Sequence, residues 1–320
     1  MRILITGGAG FLGSALANAL VAEDHEVLVL DDLSAGDPDR LDPNVLFHRG
    51  SITNRPKLWT LLQGVDCVYH LAARVLVAES ILYPGEYNEI NVSGTVALLE
   101  AMRDVGIPHL IFASSGALYG DQADQPVTEA MPPHPHSPYA VSKLAAEHYI
   151  HTIGGLSGTT TVALRIFNAY GPGQPLLPSH SPVIPRFINQ ALGGGSLVIF
   201  GDGNQTRDFV YVSDVVRALS AALDVRDAAH TTINVGSGVG VSINDLADEI
   251  LTQTGASSNI IYSPLRSGGV RQLCADLTLA RQVLGFAPQV TLQEGIARIL
   301  SEDPRFSAHP AGETTEIGAA

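Results

Sequence analysis

The chain has 320 residues, 45% of them hydrophobic, which suits one large α/β domain with a smaller companion in a soluble globular protein. Its formal charge of −14 excludes a nucleic-acid partner, because binding a phosphate backbone needs clustered Lys and Arg. Cys67 and Cys274 are the only cysteines, too few for a disulfide scaffold, and no apolar run is long enough for a membrane span, so a cytoplasmic protein that crosses no membrane is expected.

In chain order, β-branched runs at residues 2–5, 26–30, 45–48, 67–71, 109–113 and 161–167 read as strands. The first begins so early that no signal peptide is expected ahead of it. Segments 11–22, 55–62, 89–105 and 138–153 read as the helices between them. This alternation predicts successive βαβ units, and hence an α/β fold: a Rossmann-type doubly wound parallel sheet, with right-handed crossovers and both faces covered. After Asn168 the texture turns to Gly, Pro and short mixed elements, with breakers over 170–182 and 193–196. Residues 1–167 are expected to form the first domain, and 168–304 a smaller α+β substrate domain whose segment 232–235 returns to the main sheet. Residues 305–320, polar and rich in small side chains, are expected to be a frayed tail.

The first strand runs into GGAGFLG, in which Gly8, Gly10 and Gly13 fit G-x-G-x-x-G and Gly7, Gly10 and Gly13 fit a wider spacing. Glycines there permit a tight turn and close backbone approach to a pyrophosphate, while the helix opening at Phe11 offers unpaired N–H groups. The second strand ends in Asp31, placed to accept hydrogen bonds from ribose hydroxyls. A carboxylate there, with Asp32 beside it, would repel a 2′-phosphate, so NAD is expected rather than NADP.

Tyr139 and Lys143 stand at i and i+4 on one helix face, with Ser137 as N-cap and Pro138 in the first turn. Of the 18 basic residues only Lys57 and Lys143 are lysines, which makes a lysine at this spacing informative. A phenol acting as base near neutrality must have its pKa lowered by ~3, on the order of 4 kcal/mol, and an ammonium and a positive nicotinamide are the charges suited to that. Ser115, closing the fifth strand, would bond the same substrate hydroxyl, with Ser114 as its competitor for that role. His134, His136, His148 and His151 lack acidic partners and are read as surface or helix-face residues, so no metal is expected. Cys274, with Arg271 nearby and no histidine in a recognisable pairing, is read as a buried thiol rather than a nucleophile. An NAD-binding regulator would keep the glycine loop yet have no need of Ser115, Tyr139 and Lys143, whose joint presence favours an enzyme.

Taken together, TGGAGFLG (6–13), LDDLS (30–34), HLAA (70–73), NVSGT (91–95), SSGALYG (114–120), YAVSK (139–143), FNAYGPG (167–173) and RDFVYVSD (207–214) resemble the extended short-chain dehydrogenase/reductase family, nucleotide-sugar 4-epimerase type. The resemblance implies tightly held NAD and a homodimer built on helices 89–105 and 138–153. Cofactor contacts are implied at Gly7, Gly10, Phe11, Leu12 and Gly13 of the loop, and at Asp31, Asp32 and Ser34 after the second strand. Further contacts are implied at Ser51 and Ile52, at Leu71, Ala72 and Ala73, and at Asn91, Tyr139 and Lys143. Tyr139 would exchange the proton of the sugar C4 hydroxyl, Ser115 assist it, and Lys143 lower its pKa and hold the nicotinamide ribose. Asn168, Arg207 and Arg266 would bind the diphosphate or sugar of a UDP-linked substrate, glucose or galactose in the first place. Glucuronate or N-acetylhexosamine sugars, or reduction of a keto sugar, would use the same residues. Three positions depart from or qualify the pattern: Ser51 replaces an aspartate that meets the adenine, Leu273 falls where sugar size is gated, and Gly116 and Ala117 replace the glutamate of dehydratases and decarboxylases.

Overall fold

The computed structural model describes residues 1–177, 181–225, 230–264 and 270–307. Alternate residues of β1 (Arg2–Thr6) enter different cores, as a strand with both faces covered requires. Ile3 and Ile5 pack with Leu16 and Leu20 of α1 (Phe11–Ala22), whereas Leu4 packs with Leu28 of β2 (Glu26–Asp31) and with Leu58 of α2 (Arg55–Leu61). The remaining strands of the first half are β3 (Leu46–Arg49), β4 (Cys67–His70), β5 (His109–Ser115) and β6 (Thr160–Ile166). Between them lie α3 (Val77–Leu82), α4 (Pro84–Asn88), α5 (Thr95–Val105) and α6 (Pro138–Ser157).

The second half supplies β7 (Asn168–Tyr170), β8 (Leu197–Phe200), β9 (Thr206–Tyr211), β10 (Thr231–Val235), β11 (Gly240–Ser242) and β12 (Ile260–Ser263). Its helices are α7 (Val183–Leu192), α8 (Val212–Ala222), α9 (Ile243–Thr254), α10 (Thr278–Leu284), α11 (Leu292–Glu302) and α12 (Pro304–Ser307). Seven strands form one sheet in the order β10-β6-β5-β4-β1-β2-β3, every pair parallel. Strand order reverses at β1, which pairs with β2 on one side and β4 on the other, and such a switch point opens a crevice at the carboxyl ends of the strands. The expected Rossmann-type doubly wound sheet is thus the fold, and the segment expected to return to the main sheet is β10. The other strands make two small sheets, β11-β9-β7 and β12-β8, over a third core that includes Phe187, Ile199, Phe209 and Ile250.

Strand ends differ from the sequence expectation by one or two residues, and three larger differences have physical reasons. The helix expected over 138–153 continues to Ser157, because Gly154 is a point of close approach: a Cβ there would lie 2.5 Å from Thr161 Cγ2. It ends at Gly158, in the left-handed conformation with φ 74°. The helix expected over 89–105 opens as a π-helical segment, Glu89–Gly94, where Thr95 Oγ1 donates to the carbonyl of Asn91 at 2.6 Å and competes with the regular ladder. The frayed tail expected over 305–320 starts too early, since α12 anchors the chain by burying Phe306 in the third core. Residues 308–320 lie outside the described ones.

Candidate active site

The glycine loop closes on the end of β4. Gly7, at φ 71°, leaves no room for a side chain, because a Cβ would sit 2.6 Å from Ala72 N, and at Gly13 one would meet Gly7 O at 2.2 Å. Gly10 is the N-cap of α1, and no side chain caps that end. The N–H groups at Phe11 and Leu12 therefore face the crevice with the helix dipole behind them, as an anion requires. Asp31 holds this loop from β2, its Oδ2 accepting from Ala9 N at 3.0 Å and its Oδ1 from Leu33 N at 2.8 Å. Two lone pairs on each oxygen leave it able to accept from a ribose as well. Burial pushes the Asp31 carboxyl upward and the two backbone hydrogen bonds oppose that.

The neighbouring expected contacts separate by burial. Asp32 and Ser34 are exposed, and the Asp32 carboxylate accepts from Ser34 N at 2.8 Å, making a turn beyond β2. Ser51 bonds Thr53 Oγ1 at 2.9 Å, while the Ile52 side chain belongs to the second core. Leu71, Ala72 and Ala73 follow β4 and are partly exposed along the crevice. Asn91 is 2% exposed and commits both amide hydrogens within the protein, to Arg74 O at 3.0 Å and Ser142 Oγ at 2.9 Å, while its oxygen accepts from Arg74 N at 2.8 Å. It fastens the loop after β4 to α6, and Ser142 in turn donates to Tyr139 O at 2.7 Å.

Helix α6 starts as its sequence dictates. Ser137 Oγ accepts from Ala140 N at 3.1 Å and Pro138 occupies the first turn, which sets Tyr139 at the crevice. Burial pushes the pKa of the Tyr139 phenol up, and the Ser115 hydroxyl beside it pulls it down. Tyr87, fully buried, meets the Tyr139 ring edge-on at 6.5 Å. Ser115 closes β5 and also accepts from Ala117 N at 3.1 Å. Ser114 turns elsewhere, donating to Glu147 at 2.7 Å, so the two adjacent serines have separate partners.

Lys143 is 3% exposed, with Nζ 4.1 Å from the centre of the Phe112 ring. Burial lowers its pKa to about 7, against the pull of Glu147. Among the described residues no protein group accepts a hydrogen bond from this ammonium, so its donors are available to a ligand hydroxyl. Below it, His70 spans Thr6 Oγ1 and Thr95 Oγ1, each at 2.8 Å. Thr95 donates its own hydrogen to Asn91 O, so it accepts from Nε2–H and Nδ1 accepts from Thr6. That is a neutral imidazole, consistent with burial drawing its pKa down to about 3.

On the other side of the crevice, Asn168 is exposed at the start of β7 and Arg207 lies partly buried on β9. Arg207 donates Nη1 to Thr206 O at 2.7 Å, and burial lowers its pKa while Asp121, from the segment after β5, raises it. The next residue, Asp208, fixes β9 by accepting from Ser237 N, Ser237 Oγ, Gly238 N and Ala275 N at 2.6–3.0 Å. Arg266 lies outside the described residues. Gly116 and Ala117 bring no acid to the site, and Leu273 is buried in the first core. Cys274 is a half-buried thiol pushed up to about 11 by burial and by Asp208, the reverse of a nucleophile's setting.

The model for the NAD dependent epimerase/dehydratase family matches residues 3–236. The chain belongs to that family. A relative from Methanocaldococcus jannaschii described as a putative UDP-glucose 4-epimerase is 38% identical over 301 residues, spanning 93% of this chain and 97% of its own. The UDP-glucose 4-epimerase of Thermotoga maritima, solved with UDP-glucose, superposes with a TM-score of 0.92 at 35% identity, covering 96% of this chain and 100% of that one. The Thermus thermophilus UDP-glucose 4-epimerase, solved with NAD, gives 0.86 at 34% identity over 93% of this chain and 97% of its own.

In this epimerase/dehydratase fold several buried polar residues to which the sequence assigned no role stand behind the crevice. Thr6, His70, Thr95 and Ser142 orient the site, and the buried Glu147 and Arg165 lie beneath it. The available signal was polarity within buried apolar runs: His70 in CVYH, Arg165 in TTVALRI, and Glu147 one turn beyond Lys143.

Proposed function

We propose that this protein is an NAD-dependent nucleotide-sugar 4-epimerase that interconverts UDP-glucose and UDP-galactose through a transient 4-keto sugar. The observation that carries the reading is the phenol of Tyr139, beside Ser115 and one helical turn from a buried ammonium with no acceptor among the described residues. The residues present fit NAD: a side-chain-free loop at an uncapped helix end for the pyrophosphate, Asp31 for the adenosine ribose, and Lys143 for the nicotinamide ribose.

When bound, NAD supplies a reversible acceptor for the C4 hydride and, oxidised, a positive ring. Tyr139 removes the proton of the C4 hydroxyl and later returns it. Ser115 holds that hydroxyl and steadies the phenolate oxygen. Burial by itself holds the Tyr139 phenol high, so positive charge beside the ring is required before it can serve as base. Lys143 contributes part of that charge. Without a carboxylate at Gly116 or Ala117 nothing moves a proton at C5, which sets the reaction apart from a dehydration.

Arg207, with Arg266 and Asn168, belongs to the substrate half of the proposal, guanidinium groups being suited to clamping a diphosphate. Residues 1–167 form the NAD-binding part and 168–304 the sugar-binding part in this reading, supported by the separate third core. The reading includes a homodimer, supported by an exposed apolar row on α6: Val141, Tyr149 and Leu156 at 52%, 45% and 84% exposure. Incubating the purified protein with UDP-galactose and following the anomeric protons by NMR tests the activity: UDP-glucose signals are expected to grow toward equilibrium. A spectrum that does not change with UDP-galactose, while another UDP-sugar is converted, would reassign the substrate.

A further inference from the structure

A buried carboxylate stands one helical turn past Lys143. Glu147 is 4% exposed; its Oε2 accepts from Ser114 Oγ at 2.7 Å and from Arg165 Nε at 3.3 Å, and its Oε1 accepts from Arg165 Nη2 at 2.6 Å. Arg165, 5% exposed, gives its other arm to the Tyr119 hydroxyl at 2.8 Å, and Tyr119 donates to Asn234 Oδ1 at 2.7 Å. The network therefore ties α6 to β5, β6 and β10 directly beneath the crevice. None of its members takes part in the proton transfer described above.

An ion pair this deep is an inefficient source of stability. Desolvating two charges commonly cancels their attraction, and apolar replacements of the same volume are often as stable. Helical spacing gives the pair another consequence, because positions 143 and 147 share a face. The groups facing Lys143 are Tyr139 one turn back on its own helix, His70 from β4, which is neutral, the Phe112 ring from β5, and Glu147 one turn on, which among the described residues is the one negative charge acting on it. A carboxylate free to rotate at this spacing would bond the ammonium directly and take it from a ribose. Ser114 and Arg165 prevent that by fixing the orientation of the Glu147 carboxylate, so it acts on Lys143 through space and leaves Nζ open.

We propose that Glu147, held by Arg165 and Ser114, is a positioning residue that keeps Lys143 charged while leaving its ammonium unbonded for the nicotinamide ribose. The inference rests on the function proposed for Lys143 and adds the residues that prepare it. Without the field of Glu147, burial would draw the ammonium's titration further down, and its charge would be lost at a lower pH.

Lys57 and Lys143 are the only lysines, so protein labelled with [13Cε]lysine gives one signal from the site and one internal reference. Titrating this protein without substrate reads Lys143 directly. In Glu147→Gln the Lys143 midpoint is expected to fall by about one pH unit while Lys57 stays put. The alkaline limb of the kcat profile for UDP-galactose is expected to move the same way. The paired variant Glu147→Gln with Arg165→Met removes both charges at similar volume, so it serves if the single variant fails to fold; a smaller downward movement is expected, because loss of the more distant Arg165 charge offsets part of the effect. A Lys143 midpoint unchanged in either folded variant overturns the proposal, even if turnover falls uniformly at every pH. Because the titration needs no turnover, a wild-type protein inert toward UDP-galactose would count against the proposed function and leave this test standing.

Discussion

At the residue scale the account depends on one phenol whose surroundings are set by different strands. Ser115 comes from β5, Tyr139 and Lys143 from α6, and Tyr87 from α4, so the end of one strand and the two crossovers flanking it meet at one side chain. Tyr139→Phe keeps the ring and its contact with Tyr87 and removes the proton carrier. Turnover is expected to fall by at least ~10²-fold with NAD still bound, and a variant turning over at the wild-type rate would remove Tyr139 from the mechanism. His70 gives a second test. Its pKa is about 3 in the fold and 6.5 in a free side chain, so between those values the unfolded chain binds the extra proton. That contribution to stability is complete above the unfolded pKa and lost as pH falls toward the folded one. From pH 6.5 to 5 the wild type should lose about 2 kcal/mol more unfolding free energy than His70→Gln, measured by urea denaturation. Parallel losses in the two proteins would contradict a buried neutral imidazole.

At the element scale, the site is held by connections between secondary structures as much as by the residues that face the crevice. Asn91, in the π-helical segment, joins the loop after β4 to α6 through three hydrogen bonds. Asn91→Ala leaves Arg74 and Ser142 partners unmet in a buried place, which costs about 3 kcal/mol, and NAD retention through gel filtration should weaken with it. Retained NAD and unchanged stability would assign the asparagine no such role. The sequence made this residue visible as part of a motif, though not its use, because a side chain's partners across the fold are not written in local spacing. The same holds for Glu147 and Arg165. Each stands alone in its own run, and only the packing of α6 on β5 and β6 makes them one network. What was legible was local: Ser137 and Pro138 open a helix, Tyr139 and Lys143 share its face, and glycines crowd the first turn.

At the scale of the whole molecule, six strands of the main sheet were legible because short β-branched runs alternating with helices leave few other architectures. β10 was legible as a return to that sheet, while the helix through Gly154 was not, because glycine pairs ordinarily break helices and here allow close packing on Thr161. The apolar row on α6 has no cover among the described residues. Leu156→Asp should shift the protein from dimer to monomer in light scattering, and an unchanged mass would place the interface elsewhere. The central claim, reversible oxidation at C4 by transfer and return of the same hydride, is tested most directly with UDP-galactose deuterated at C4. The account requires UDP-glucose that retains the deuterium at C4 in ordinary water. Product with hydrogen at C4 would mean exchange with solvent and would contradict it.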